Sequence, residues 1–192
     1  MDLTDVLGRT AIVATTTAGA LPVSERVHDE RRLIRAALDG SSGAVEELYR
    51  AHWRMAYRAA YLIARDASAA EDIAQEALVR ALHRLDRFDR SRPFAPWLHR
   101  IVVNRALDYS RARALRQPAP PIDHASPVAE PLDDALVSAL ATLSPEHRAV
   151  VALRYLLDYS PGEIAGMLDL PRGTVNSRLR RALDALAEVV ER

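Results

Sequence analysis

The chain has 192 residues and no cysteine, and its 26 basic side chains balance 26 acidic ones to a formal net charge of zero. This length holds one or two small domains, and the lack of cysteine excludes disulfides and thiolate metal sites while fitting a reducing cytoplasm. Every basic residue is Arg, yet with no net charge only the placement of those arginines can argue for a nucleic-acid partner.

No apolar run reaches the length of a membrane span, and the N-terminus lacks a basic n-region, so neither membrane insertion nor a signal peptide is expected. Residues 1–25 mix Thr, Ala and Gly with little periodicity and read as a disordered tail. Leu33, Ile34, Ala37 and Leu38 recur at helical spacing before Asp39-Gly40, which predicts a first helix over 27–38. A second helix is predicted over 44–64, with Val45, Leu48, Trp53, Ala56, Tyr57, Ala60 and Ile63 turned inward. Ser68 and Glu71 have the spacing of a capping box, which predicts a third helix reaching about Leu85.

The stretch 87–96 is a loop rich in Arg, Phe and Pro, and a fourth helix is predicted from Trp97 to about Leu115. Arg100, Asn104, Asp108 and Arg111 share one side of that helix. Residues 117–131 hold five prolines and only acidic charges, the composition of a flexible linker. Beyond it, Ser144-Pro145-Glu146 opens a helix carrying Val150, Val151, Leu153 and Leu156. Ser160, Pro161 and Glu163 then form an N-cap, first-turn proline and capping box. Asp169-Leu-Pro171 breaks this short helix. From Arg172 a longer helix buries Val175, Leu179, Ala182, Leu183, Leu186 and Val190, and its opposite face carries Thr174, Ser177, Arg180 and Arg181, with no acidic residue before Asp184.

A short helix, a tight turn and a helix with a basic leading half predict a helix-turn-helix whose second helix enters the major groove. The fold expected is all-α, with an N-terminal helical bundle (26–116), the linker (117–131) and a C-terminal helix-turn-helix domain (132–192). The six histidines form no i, i+3 or i, i+4 pair with one another, so no metal site is expected. No Gly-rich phosphate loop or nucleophile elbow is present, and neither an enzyme activity, a cofactor nor a small-molecule substrate is expected.

The segments Ala70-Glu-Asp-Ile-Ala-Gln-Glu76, Trp97-Leu98 with Ile101, Asn104, Asp108 and Arg111, and Gly173-Thr-Val-Asn-Ser-Arg-Leu-Arg-Arg-Ala182 stand in the order and separation found in the sigma-70 family. The chain resembles its compact extracytoplasmic-function (ECF) branch, with Asn176 where Lys is usual and Asp169 where Gly is common. The resemblance implies a cytoplasmic initiation subunit of bacterial RNA polymerase that contacts the clamp helices and the flap of the core enzyme, binds promoter DNA and is restrained by an anti-sigma factor. It implies that Glu71, Asp72, Gln75 and Glu76 meet the clamp helices. The minus-ten element would be handled by Phe88, Arg92, Phe94, Arg100, Asn104 and Arg105, and the minus-thirty-five element by Arg172, Thr174, Asn176, Ser177, Arg178 and Arg181. The competing reading is a stand-alone helix-turn-helix regulator that needs no polymerase.

Overall fold

In the computed structural model, the described residues are 23–115 and 134–190, with side chains from 29 to 115 and from 138 to 188. They form eight α-helices and no strand. The expected N-terminal tail, apart from the helical Val23–Glu25, and the expected linker lie outside them.

Helix α1 spans Val23–Leu38 and α2 Ser42–Ala64. Gly40, at φ +91°, makes the turn between them, and the Ser41 side chain caps α2 by accepting from the Ala44 amide. Helix α3 spans Ala67–His83. Its N-cap is Asp66, which accepts from the Ala69 amide at 3.0 Å. The capping box expected from Ser68 and Glu71 does not form, because the helix starts before Ser68 and leaves both side chains exposed. The other oxygen of Asp66 takes the Tyr109 hydroxyl at 3.0 Å and the Arg113 guanidinium at 2.9 Å, so one carboxylate both caps α3 and ties down the next helix.

A 3-10 turn, Leu85–Arg87, leads to α4, Phe94–Ala114. This helix begins three residues before the expected Trp97, since Pro96 falls in its first turn, where a missing amide hydrogen costs nothing. No local side chain caps it. Instead Glu30 of α1 accepts the Phe94 amide at 3.4 Å while also bonding His52 of α2 at 3.0 Å, which places a carboxylate at the positive end of the α4 dipole. Helices α2, α3 and α4 pack on one another. Their contact faces are dense in alanine (Ala56, Ala60, Ala70, Ala74, Ala77, Ala106), all buried, with Leu78, Leu98, Val102 and Val103 filling between them.

The C-terminal half contains α5 (Asp134–Ala141), α6 (Pro145–Val151) continued by one π turn (Ala152–Leu156), α7 (Pro161–Leu168) and α8 (Arg172–Val190). The Ser160/Glu163 capping box is present in both directions, at 2.8 Å and 3.3 Å. Asp169 takes the left-handed conformation at φ 53° that ends α7, a conformation Asp adopts more readily than most residues. The Pro171 carbonyl then accepts the Thr174 and Val175 amides to start α8. Val175, Leu179, Ala182 and Leu186 are buried against α6 and α7, as their spacing predicts.

The two halves share one continuous core. The buried guanidinium of Arg148 on α6 donates to the Ile63 carbonyl at the end of α2 (3.1 Å) and to the Leu143 carbonyl (2.6 Å). Arg65 donates to the Ala141 carbonyl at 3.0 Å, and Arg111 of α4 to Glu146 of α6 at 3.0 Å. His99 of α4 and Tyr159, 6 % and 9 % exposed, bond at 2.8 Å between Nδ1 and the hydroxyl. Sequence spacing gave no sign of this direct packing.

Candidate nucleic-acid and polymerase interface

Glu71, Asp72, Gln75 and Glu76 all lie on the exposed side of α3. The apolar residues Ile73, Ala74, Ala77 and Leu78 take the inward positions, so the amphipathic period alone presents the four polar groups as one acidic strip. Val79 extends that strip and is 42 % exposed. Its signal was available in the sequence, since it stands three and four residues after Glu76 and Gln75.

Between α3 and α4 runs a groove of about 330 Å³, lined by Glu76, Arg80, Arg84, Trp97, Arg100, Asn104 and Arg105 among others. Four arginines line it with two acids, Glu76 and Asp108, and the Arg105 Nε donates to Glu76 at 2.9 Å. The structure thus joins two sets that the sequence reading kept apart, the acidic strip on α3 and the basic side of α4. Arg84 was missed, although it continues from Glu76 and Arg80 at intervals of four.

Phe88 and Phe94 require a correction. Expected among the residues that handle the minus-ten element, they are 7 % and 0 % exposed. Their rings meet edge-on at 5.5 Å, both touch Trp97, and Phe94 also meets His52. A ring enclosed on both sides has no face left for a base. Apolar burial outweighs the polar neighbours that made the segment read as an exposed loop. Trp97 packs on these rings yet keeps enough surface to line the groove. Arg92 is exposed and paired with Asp89 at 3.3 Å, outside the groove. The basic tail of α4 is also less free than its sequence suggests, because Arg111 pairs with Glu146 and Arg113 with Asp66.

On α8, Arg172, Asn176, Arg180 and Arg181 are exposed. Arg172, Asn176 and Arg180 are spaced one turn apart along a single line. Thr174 and Ser177 are half-buried, and the Ser177 hydroxyl is spent on the Thr174 carbonyl at 2.9 Å. Arg178, also half-buried, leans toward α6. Its charge, together with that of Arg181, adds to burial in holding the His147 imidazole below its ordinary range. The exposed polar surface of α8 is therefore Arg172, Asn176, Arg180 and Arg181, with the other three residues at its edge.

Among the described residues no cluster of His, Asp and Glu could hold a metal, and no helix is long and apolar enough to cross a membrane.

Comparison with known proteins bears on the same surfaces. The family description Sigma-70 region 2 matches residues 48–116, and Sigma-70, region 4 matches residues 133–186. The ECF RNA polymerase sigma factor SigM of Mycobacterium tuberculosis is 35 % identical over 166 residues, covering 84 % of each chain. SigW of Bacillus subtilis is 29 % identical over 178 residues, covering 81 % of this chain and 94 % of its own. Among solved structures, CnrH in complex with the cytosolic domain of CnrY superposes with a TM-score of 0.64 at 29 % identity, over 84 % of this chain and 97 % of that one. The acidic strip and the basic groove thus fall in region 2 and the open face of α8 in region 4, and the chain belongs to the ECF RNA polymerase sigma factors, which recognise promoters for the enzyme they join.

Proposed function

We propose that this sigma factor divides its work among three surfaces. The acidic strip of α3 (Glu71, Asp72, Gln75, Glu76) docks on the basic clamp helices of core polymerase, where charge complementarity sets orientation and association rate. The groove with Trp97, Arg100, Asn104 and Arg105 receives the minus-ten element. Guanidiniums there follow phosphates, and one aromatic wall and one amide face the unpaired bases. The open face of α8 reads the minus-thirty-five element, with Arg172, Arg180 and Arg181 suited to guanine edges or phosphates and Asn176 to adenine.

The observation that carries this reading is the Glu76–Arg105 contact, which sets the acid proposed for the clamp helices beside an arginine proposed for DNA. The units are taken as 26–116 and 132–192. The factor acts in the cytoplasm with the core enzyme and makes or breaks no bonds itself. A restraining anti-sigma protein is the expected regulator, in keeping with CnrH, which was solved bound to the cytosolic domain of CnrY.

Run-off transcription tests the proposal. Core enzyme plus this chain should initiate at a defined start on a cognate promoter, and core alone should not. Tight, specific duplex binding by the chain alone, with no stimulation of core, would favour the stand-alone regulator.

A further inference from the structure

A second basic concavity lies outside the surfaces described so far. Arg31 and Arg35 stand one turn apart on the outer face of α1, and Arg90, in the loop before α4, closes on them over Ile34. The concavity measures about 280 Å³, and its lining residues include no carboxylate. Three nearby acids are committed elsewhere: Asp29 pairs with Arg32 at 3.3 Å, Asp89 with Arg92 at 3.3 Å, and Glu30 is held inward by His52 and the Phe94 amide. Among the described residues Arg31, Arg35 and Arg90 have no ion-pair partner.

Like charges at i and i+4 destabilise a helix, and a third guanidinium from a loop adds to the repulsion. Neither packing nor local pairing accounts for the arrangement. A ligand that brings concentrated negative charge does, because guanidiniums are suited to phosphate oxygens and release condensed counterions when they bind a polyanion. Position narrows the choice. The segment 84–93 connects the two concavities, with Arg84 lining the groove beside Trp97 and Arg90 lining this one. A nucleic-acid strand leaving the groove along that segment meets Arg90 and then α1.

We propose that Arg31, Arg35 and Arg90 form a cradle for the phosphodiester backbone of the promoter strand that passes through the groove between α3 and α4. This rests on the sigma-factor reading above. It adds a backbone contact that fixes the strand without reading its sequence.

The test uses holoenzyme reconstituted from core polymerase and the full chain, with Arg31→Gln, Arg35→Gln and Arg90→Gln combined. The probes are a forked promoter with a single-stranded minus-ten region and the same promoter as a closed duplex. Losing three single-strand phosphate contacts should lower the slope of log Kobs against log salt on the fork by about 2. The ranking of promoter sequences, core association and thermal stability should be retained, and the triple Arg→Lys variant should restore the slope. A slope change confined to the closed duplex would overturn the single-strand assignment. An unchanged slope on both probes would overturn the cradle. Loss of core association with an unchanged slope would assign the three arginines to an acidic protein surface and overturn the proposal. If the triple variant folds poorly, the single variants Arg31→Gln and Arg90→Gln serve, each with an expected slope change of about 0.7. Failure of the wild-type chain to form a promoter-binding holoenzyme would instead strike the sigma-factor reading itself, which keeps the two failures distinct.

Discussion

The guanidinium of Arg148 donates to the Ile63 carbonyl at 3.1 Å, so a buried charge from the C-terminal half caps the last turn of α2 in the N-terminal half. The arrangement suits the negative end of a helix dipole, and burial lowers the Arg148 pKa to about 10, leaving it charged at neutral pH. Arg148→Met would strand the Leu143 carbonyl, leave the Ile63 carbonyl only the Ser110 hydroxyl at 3.2 Å, and should cost about 1–3 kcal/mol. Urea unfolding of the full chain measures this. A loss below about 0.5 kcal/mol would mean that the two halves do not depend on the contact.

The His99–Tyr159 contact predicts a pH dependence. Burial, and then the neighbouring His52, lowers the His99 pKa from 6.5 to about 3. Burial, followed by Glu163 and Glu30, raises that of Tyr159. In the packed state the imidazole stays neutral, whereas in a separated or unfolded state it takes a proton below 6.5. The packed state is therefore fully stabilised above 6.5 and loses up to about 1.4 kcal/mol per pH unit as pH falls below it. Unfolding free energies between pH 7.5 and 5 should show this slope in the wild type and a shallower one in His99→Gln. Equal slopes would refute the assignment.

Glu76 and Arg105 are each about half exposed (51 % and 48 %), so their pairing contributes at most about 1 kcal/mol to stability. Their functions should separate. Glu76→Ala should weaken association with core polymerase and leave melting nearly unchanged. Arg105→Ala should keep core association and lower promoter affinity, with a smaller salt slope. Surface-immobilised core and a forked promoter measure the two, and a variant that moves both readouts equally would contradict the division.

On α8 the exposed and half-buried arginines should behave differently. Arg181→Ala, if the side chain bonds a base edge, costs about 1–3 kcal/mol and relaxes one minus-thirty-five position. Arg178→Ala should raise the His147 pKa more than Arg181→Ala does, because after burial its charge is the larger of the two that hold it down. An NMR titration of the histidine ring and a promoter-variant binding panel give the two readings.

How much of this was legible in the sequence depended on range. The Ser160/Glu163 box, the Asp169 turn and the buried stripe of α8 act within a few residues, and local spacing exposes them. Asp66 was overlooked as the α3 cap because Ser68 and Glu71 fit the same rule two residues later. The Phe94 ring was misread because its burial is set by Phe88, Trp97 and His52, which come from three different segments. The contacts of Arg148, Arg65 and His99 join residues 60 to 85 positions apart, and no periodicity records such pairings. The groove needed both α3 and α4 in place before Arg80 and Arg84 could be assigned to it.

The most direct test is the affinity of the purified full-length chain for core RNA polymerase, measured beside promoter binding with and without that core. The account predicts a tight one-to-one complex that binds a cognate promoter specifically, while the chain alone binds the same DNA weakly. No complex with core, together with strong specific binding by the chain alone, would contradict it.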